Sequence, residues 1–278
     1  SSISKTMTIG RMRCEMDTKD DRYAGKIFFN AVLPLVRVIL DDTPGIGSKL
    51  RGKSGIFQVS AQTDTGLWAT HFVVDKGEVT TTLGASSKKP TVELFFRSLQ
   101  DFNSFMKGTS KKLPAIRGLL KVGILIPFMK ALLKMASLLK MKEAPKDEPT
   151  QRLLVKLYFY LLSSGISQLN REGHPSINAW TKTSPNRVYA WTVDGYEDVA
   201  AYLRVKAGKT KSAHGRYMRS KPFFTMRFVD LESALATLLS TGDMVELVAQ
   251  GKMVMEGGPE FGSMLGDYML LVGSYAQP

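Results

Sequence analysis

The sequence predicts an α+β protein of two similar domains, because its elements occur twice in the same order. Each half has an apolar helical run, alternating strands, a Lys-Pro pair, another strand, a helix and a final apolar segment interrupted by glycine and proline. A charged stretch with two prolines, KEAPKDEPT, lies between the halves and is typical of a linker. We therefore predict an N-terminal extension at 1–22, domains at 23–141 and 151–278, and a linker at 142–150.

The first helix of each domain is predicted from a long apolar run, GKIFFNAVLPLVRVILDD in the first and QRLLVKLYFYLLSSGISQL in the second. Pro34 is expected to bend the first of these helices. Period-two segments follow in pairs, which predict meanders of strands: SGIFQVSAQT with SINAWTKT, LWATHFVVD with VYAWTVDG, and VTTTL with VAAYL.

In the later part of each half, matching residues are a constant 132 positions apart. The matching residues are Lys89-Pro90 and Lys221-Pro222, Phe96 and Phe228, Leu99 and Leu231, Val122 and Val254, Pro127 and Pro259, and Leu139 and Leu271. Before the Lys-Pro pair the offset is about 120, which predicts an extra basic loop at 206–220. We interpret the pattern as an internal duplication, with two unrelated domains of similar composition as the alternative.

The composition limits where the protein acts and what it attracts. The formal charge of +13 predicts a surface that attracts the phosphates of nucleic acids or anionic lipids, unless the surplus lysine serves solubility alone. A single cysteine, Cys14, cannot close an intrachain disulfide and favours a reducing compartment. The longest uncharged apolar run, 122–129, is far shorter than the roughly twenty residues that span a bilayer. We expect a cytoplasmic protein without a transmembrane segment or secretory signal.

Residues 47–54, GSKLRGKS, match the phosphate-loop pattern G-x-x-x-x-G-K-[ST]. Such a loop binds phosphate when a strand precedes it and a helix N-terminus follows it. Here a predicted helix precedes the motif and the strand GIFQVSAQT follows it, so we expect no nucleotide site.

The residues typical of catalysis are absent or wrongly spaced. The three histidines, His71, His174 and His214, do not have the spacing of metal ligands, and FGSMLG around Ser263 does not have that of a nucleophile elbow. We predict no catalytic residue, no metal and no cofactor.

Nucleic-acid binding is a rival interpretation, because Trp68, Trp180, Trp191 and Tyr202 are predicted on strands, where aromatic rings can stack on bases. The chain has no RNA-recognition, helix-turn-helix or zinc-finger signature, so we expect no specific nucleic acid. A basic scaffold or accessory subunit with solid cores, associated with nucleic acid or membrane, stays as the alternative function.

Two apolar segments favour a ligand pocket. Residues 113–141 are apolar nearly all round, as in a buried helix pair or one partly inserted in a membrane surface with Lys130 and Lys134 toward the headgroups. Methionines gather near the C-terminus, and a methionine-rich wall adapts to ligands of variable shape. We expect a pocket between a sheet and its covering helices, although core filling alone also uses methionine.

Residues 224–270 resemble the C-terminal half of the sterol carrier protein type-2 domain. The motif is a G-K-apolar-x-apolar-x-G strand, formed here by Gly251, Lys252, Met253, Met255 and Gly257, after a strand and a leucine-rich helix. The first half resembles a degenerate copy, with Phe102 and Phe105 in the short helix and Leu119-Leu120-Lys121 in place of the Gly-Lys strand. The resemblance implies two such domains, each a mixed or antiparallel five-stranded sheet covered by helices around a lipid-sized tunnel.

The function implied is non-enzymatic binding of an apolar ligand, a fatty acid, acyl thioester or sterol-like lipid, with transfer as a further possibility. The predicted cavity residues are Phe57, Trp68, Phe72, Phe95, Phe102, Phe105, Trp180, Trp191, Tyr202, Phe224, Met226, Met253, Met255 and Met264. Lys209, Lys211, Arg216 and Arg219 are predicted to meet the polar end of the ligand or an anionic membrane, with a plain solvated loop as the alternative.

Overall fold

The computed structural model describes residues 16–277, so Cys14 lies outside the described residues. The helices are α1 (Lys19–Ile27), α2 (Leu35–Asp42), α3 (Pro44–Gly47), α4 (Leu99–Lys107), α5 (Val122–Leu139), α6 (Glu148–Arg171), α7 (Pro175–Thr183), α8 (Leu231–Leu238), α9 (Met244–Ala249) and α10 (Pro259–Ala276). The strands are β1 (Gly55–Thr63), β2 (Gly66–Asp75), β3 (Glu78–Leu83), β4 (Val92–Phe96), β5 (Ala115–Arg117), β6 (Arg187–Val193), β7 (Tyr196–Lys206), β8 (Lys209–His214), β9 (Phe224–Phe228) and β10 (Met253–Glu256).

The strands form two five-stranded sheets of the same topology, in the orders β3-β2-β1-β4-β5 and β8-β7-β6-β9-β10. The β1–β4 and β6–β9 pairs are parallel, and the remaining pairs are antiparallel. Each sheet is covered by helices on one face. The prediction of an α+β fold with two similar mixed sheets is therefore confirmed.

The registers of the two sheets correspond, as expected for an internal duplication. Phe57 lies opposite Val92 in the first sheet, and Tyr189 lies opposite Phe224 in the second. Each residue of the second pair is therefore 132 positions after its counterpart, so this offset already holds at the first strand. The predicted offset of about 120 upstream of the Lys-Pro pairs was wrong.

Residues 206–220 are not an extra loop. They hold the end of β7, a tight turn at Ala207 and Gly208, the strand β8, and the connection that leads to β9. The pairing of β8 with β7 matches that of β3 with β2, which occupies the same place in the first half.

The mistaken offset came from SINAWTKT, which is helix α7 and not a strand. Its apparent alternation is accidental, since the fully buried residues are Ile177 and Thr181, one helical turn apart. Pro175 stands in the first turn, where its missing N–H costs nothing. VYAWTV is consequently the first strand of the second sheet, and VAAYL belongs to the second strand.

The two halves also diverge after their short helices, α4 and α8. Helix α9 has no counterpart among the described helices of the first half, and Val122, Pro127 and Leu139 all lie in α5. Val254 lies in strand β10, so the predicted match of Val122 with Val254 was wrong, whereas Pro259 and Leu271 lie in the closing helix α10 as Pro127 and Leu139 lie in α5. The edge strand of the first sheet is Ala115–Arg117, whereas Leu119-Leu120-Lys121, predicted to replace it, forms a turn.

The Gly-Lys strand of the second half forms as predicted, as β10. Gly251 and Gly257 flank it with φ values of 68° and 132°, which a residue with a side chain rarely adopts. This backbone requirement explains why glycine stands at both ends of the motif.

The helix that was predicted to bend at Pro34 is interrupted there. A π-helical turn, Phe28–Val32, follows α1, and the Leu33 N–H donates to the Phe28 carbonyl at 2.8 Å. Because proline cannot donate a backbone hydrogen bond, the widened turn lets the chain pass Pro34 before α2 begins.

The helices of the two halves share one hydrophobic core. Helix α6 packs on β7 and β8 of its own sheet and also on α1, α2 and the π-helical turn of the first half. Helix α10 packs on α6 and α1. The predicted linker ends inside α6, which starts at Glu148, and the predicted domain boundaries themselves stay predictions.

Candidate functional site

The most enclosed apolar cavity among the pockets of the described residues lies between helices and not against a sheet. Its volume is about 340 Å³, at the lower end of the range typical of small-molecule sites. We call it the first helix cavity. The π-helical turn, α4, α5, α6 and α10 form its walls, so both halves of the chain contribute to it.

The side chains that line the first helix cavity are mostly aliphatic residues and methionines. Helix α5 contributes the longest side, and α6 and α10 close the cavity from the other half. The apolar lining residues are Phe28, Val32, Phe105, Met106, Met129, Leu132, Leu133, Met135, Ala136, Leu139, Leu161, Leu162, Val272 and Ala276. Methionine side chains adapt their shape, so this wall suits a flexible apolar chain better than a rigid polar ligand.

The mouth of this cavity is basic. Lys107 ends α4, Lys140 follows α5, and both line the cavity beside the exposed Gly108. A Cβ built on Gly108 would lie 2.6 Å from the Lys140 Nζ, so the ammonium group rests against this glycine. Within residues 16–277 neither lysine forms a salt bridge, and the cavity lining contains no carboxylate. An anionic headgroup is therefore the complement of this mouth.

Tyr158 of α6 separates this cavity from a second one. Its phenol donates to the Leu139 carbonyl at 3.4 Å and accepts from the Gln277 Nε2 at 3.5 Å. Burial raises the pKa of Tyr158, although the hydrogen bond with Gln277 opposes the shift. Tyr158 therefore stays a neutral phenol near pH 7 and presents a hydroxyl in an otherwise apolar wall.

The second helix cavity is a neighbour of the first and is lined by the second half of the chain alone. It has a volume of about 440 Å³ and lies between α6, the end of α8, α9 and α10. Tyr158, Leu162, Gly273 and Gln277 line both cavities. The second cavity is more open and more polar, and its ionisable lining group besides Tyr158 is Asp267, not a lysine.

Half of the predicted cavity residues fill the core instead of lining a space. They are Phe57, Phe72, Phe102, Trp191, Phe224, Met226 and Met253, each at most 1% exposed. Phe57 and Phe128 stack between the first sheet and α5, and Phe29 stacks on Phe102 with centroids 4.0 Å apart. Where the sequence predicts a pocket between sheet and helices, the rings pack against one another.

The remaining predicted residues are dispersed. Phe105 lines the first helix cavity, whereas Trp68, Trp180, Met255 and Met264 are partly buried against the core elsewhere. Phe95 and Tyr202 lie on the outer faces of their sheets, where Phe95 packs under Arg117 and Tyr202 packs on Tyr217. The structure thus brings one of the fourteen predicted residues to this cavity.

The predicted headgroup residues lie far along the chain from these cavities, on or after the edge strand β8. Lys209 and Lys211 belong to β8, and Arg216 and Arg219 to the connection that follows. Arg216 pairs with Glu197 at 2.9 Å and lines a polar hollow on the outer face of the second sheet. None of the four lines either helix cavity.

The other motifs do not assemble into a site. GSKLRGKS begins at the last residue of α3, includes a 3₁₀ turn at Ser48–Leu50 and ends directly before β1, so the predicted order of elements is confirmed and no helix N-terminus follows the lysine. His71 lies in β2, where its Nδ1 is 2.7 Å from the Gly84 carbonyl oxygen. Within the part of the chain described, no three histidine, cysteine or acidic side chains come together as metal ligands would.

The solved structures to which this chain is similar include two whose descriptions mention sterol carrier proteins. The solution structure of sterol carrier protein domain 2 from Helicoverpa armigera is 15% identical over 40% of this chain and 91% of that chain, with a TM-score of 0.29. A conserved hypothetical protein of Thermus thermophilus, described as a possible sterol carrier protein, is 14% identical over 42% of this chain and 85% of that chain, with a TM-score of 0.28.

Each of these two similarities covers about two fifths of the chain. No protein-family model matches the chain, and no curated protein matches it.

Most residues of the first helix cavity were missed because they lie on helices that the sequence presents as core. One signal was available: residues 122–139 are apolar on more than the one face that a core helix needs. The cavity residues on α6 and α10 depend on how the two halves pack together, and the periodicity of the sequence cannot predict that packing.

Proposed function

We propose that the protein binds an apolar ligand with an anionic end, of the fatty acid or acyl thioester class, in the first helix cavity and without covalent chemistry. The observation that carries the proposal is an apolar cavity of about 340 Å³ whose mouth bears two lysines and no carboxylate. Burial of the acyl chain supplies the affinity, at roughly 25 cal/mol per Å² before ordering costs. Lys107 and Lys140 would select the charged end.

The first experiment fills the cavity. Ala136→Trp places an indole in the wall formed by α5, and Ser263→Trp places the same group in the second helix cavity as a matched control. Delipidated protein is titrated with a fluorescent fatty acid, and native mass spectrometry counts the bound molecules. We expect Ala136→Trp to lose uptake and Ser263→Trp to keep it. Unchanged uptake by Ala136→Trp would remove the first helix cavity as the binding site.

The second experiment separates the headgroup from the chain. Lys107→Met and Lys140→Met together remove the positive charge at the mouth while keeping much of the side-chain length. We expect this variant to bind a fatty acid more weakly but to bind the alcohol of the same chain length as the wild type does. Equal losses for acid and alcohol would instead mean that the lysines shape the cavity and do not recognise charge.

The positions of two tryptophans argue against the alternative function, a basic scaffold that binds nucleic acid. Trp191 is fully buried, and Trp180 packs between Tyr189 and Tyr268. Neither ring offers a free face on which a base could stack. A salt titration with single-stranded oligonucleotides tests this alternative, and we expect only weak, nonspecific attraction.

A further inference from the structure

An exposed pair of leucines projects from the edge of the first sheet. Residues 118–121 form a tight turn in which the Lys121 N–H donates to the Gly118 carbonyl at 2.9 Å. Leu119 is 60% exposed and Leu120 is 90% exposed. Gly118 has a φ of 77°, and a Cβ on it would collide with the Thr91 carbonyl oxygen. The turn therefore holds both leucines away from the core by a backbone geometry that glycine alone permits.

The exposed apolar area continues along α5. Val122 and Ile126 lie one turn apart on its solvent side, and Lys130 and Leu133 continue the same stripe. Leu113 and Ile116 are exposed on the strand side of the turn. We call these residues the basic apolar surface: Leu113, Ile116, Leu119, Leu120, Val122, Ile126 and Leu133, with Lys111, Lys121 and Lys130.

The charge of this region has one sign. The sequence contains no acidic residue between Asp101 and Glu143. Lys112 pairs with Asp101 and Arg117 pairs with Glu93, whereas Lys111, Lys121 and Lys130 have no acidic partner among residues 16–277. A large part of the net charge of +13 is thus concentrated beside the exposed leucines.

The helix that carries this surface is poorly covered by the protein. Among the described helices, two stretches are long and apolar enough to cross a bilayer by composition, Lys19–Asp42 and Val122–Leu139. The first is 72% buried and is a core helix, but the second is only 39% buried. Exposed apolar side chains beside unpaired lysines are typical of surfaces that enter the boundary between lipid headgroups and acyl chains.

We propose that the basic apolar surface docks on anionic phospholipid membranes. Leu119 and Leu120 enter the acyl region, α5 lies along the interface, and Lys111, Lys121 and Lys130 contact the phosphates. Leu133 belongs to this surface and also lines the first helix cavity. The proposal is independent of whether that cavity binds a ligand, and it assigns the membrane contact to the first half instead of to residues 206–220.

Sedimentation with vesicles of phosphatidylcholine, with and without phosphatidylserine, tests whether the exposed leucines insert into the membrane. Leu119→Ser and Leu120→Ser are introduced together, and Met218→Ser with Val245→Ser is the matched control, because Met218 and Val245 are 81% and 76% exposed elsewhere. We expect the leucine variant to bind phosphatidylserine vesicles at least about tenfold more weakly, and the control variant to bind as the wild type does. Thermal unfolding checks that both variants are folded.

Two double charge reversals test which lysines contact the anionic lipids. Lys121→Glu with Lys130→Glu is compared with Lys209→Glu and Lys211→Glu, which change the net charge equally on the edge strand β8. We expect only the first pair to reduce binding to phosphatidylserine vesicles by about tenfold or more. Equal losses would show nonspecific attraction by net charge, and loss confined to the second pair would place the membrane contact at β8; either result overturns the proposal.

Two further results would also overturn it. Unchanged vesicle binding by the leucine variant would exclude insertion of the turn. Concentration-dependent self-association that disappears in this variant, together with no binding of the wild type to vesicles, would make the surface a contact between copies of the chain. Fatty acid uptake measured without vesicles reports on the cavity alone, so failure of either proposal is recognised separately.

Discussion

Phe57 of β1 and Phe128 of α5 stack with their ring centroids 4.5 Å apart and their planes 6° from parallel. Both rings are fully buried, so they close the space between the first sheet and its covering helix. The first helix cavity lies further along α5, where side chains between 129 and 140 line it together with other helices. The first part of α5 therefore packs on the sheet, and its last part lines the cavity.

We expect Phe128→Ala to lower the free energy of unfolding by about 3–5 kcal/mol, because it removes a fully buried ring and leaves a cavity. Phe128→Leu keeps most of the volume and should cost less than about 1.5 kcal/mol. Urea unfolding followed by tryptophan fluorescence measures both. A loss below about 1 kcal/mol for Phe128→Ala would contradict the tight packing of this layer.

Gly118→Ala tests the backbone of the leucine turn. The new Cβ would collide with the Thr91 carbonyl in addition to straining a φ of 77°. Gly52 has a similar φ of 74° but nothing within 4 Å of a built Cβ, so Gly52→Ala is a matched control for the strain alone. We expect Gly52→Ala to cost about 1 kcal/mol and Gly118→Ala clearly more, measured by chemical unfolding. Equal costs would show that the contact with Thr91 relaxes freely.

An ion network joins the two halves. The Lys156 Nζ of α6 lies 2.8 Å from Asp42 of α2 and 3.8 Å from Asp198 of β7, and its side chain is only 15% exposed. We expect Lys156→Met to lower the free energy of unfolding by about 1–2 kcal/mol, since Asp42 loses its partner while Asp198 keeps its bidentate pair with Arg152. The surface pair Arg37 and Asp41 is the comparison, and Arg37→Met should change stability by less than about 1 kcal/mol. A smaller effect at Lys156 than at Arg37 would refute this assignment.

His174 should make stability depend on pH. Burial lowers the pKa of His174 below its ordinary value of 6.5, although Asp20 opposes the shift. As the pH falls below about 6.5, the unfolded chain binds a proton that the native histidine does not, so unfolding becomes more favourable. The stabilisation is present above about 6.5 and is lost at lower pH. In His174→Gln the decline in stability below about pH 6.5 should be shallower, as thermal unfolding across pH will show; parallel curves would exclude His174 as the cause.

The sequence predicts the parts of the fold that depend on local pattern. The β1, β2 and β3 meander, the interruption at Pro34 and the Gly-Lys strand β10 all follow from alternation, proline or glycine chemistry. SINAWTKT was wrongly predicted as a strand because polar and apolar residues can alternate by chance over eight residues. The burial of Ile177 and Thr181, which identifies the segment as a helix, depends on the core against which it packs. That one error displaced the alignment of every upstream strand.

The candidate site was less accessible to sequence reasoning. An aromatic ring on a strand has the same pattern whether it lines a cavity or fills a core, as Phe57 shows. The difference depends on Phe128, which is 71 residues away and reaches Phe57 only after α5 has packed on the sheet. Residues such as Leu162 and Val272 line the first helix cavity only because the second half packs against the first.

The two helix cavities differ in charge, because Lys107 and Lys140 line the first and Asp267 lines the second. In a dimer of identical subunits, any substitution at a mouth would appear at both, so the two sites would always carry the same charge. Covalent linkage of the copies removes that constraint, because each mouth is encoded by its own codons. The chain can therefore carry opposite charges in its two cavities, which a symmetric assembly of identical domains cannot.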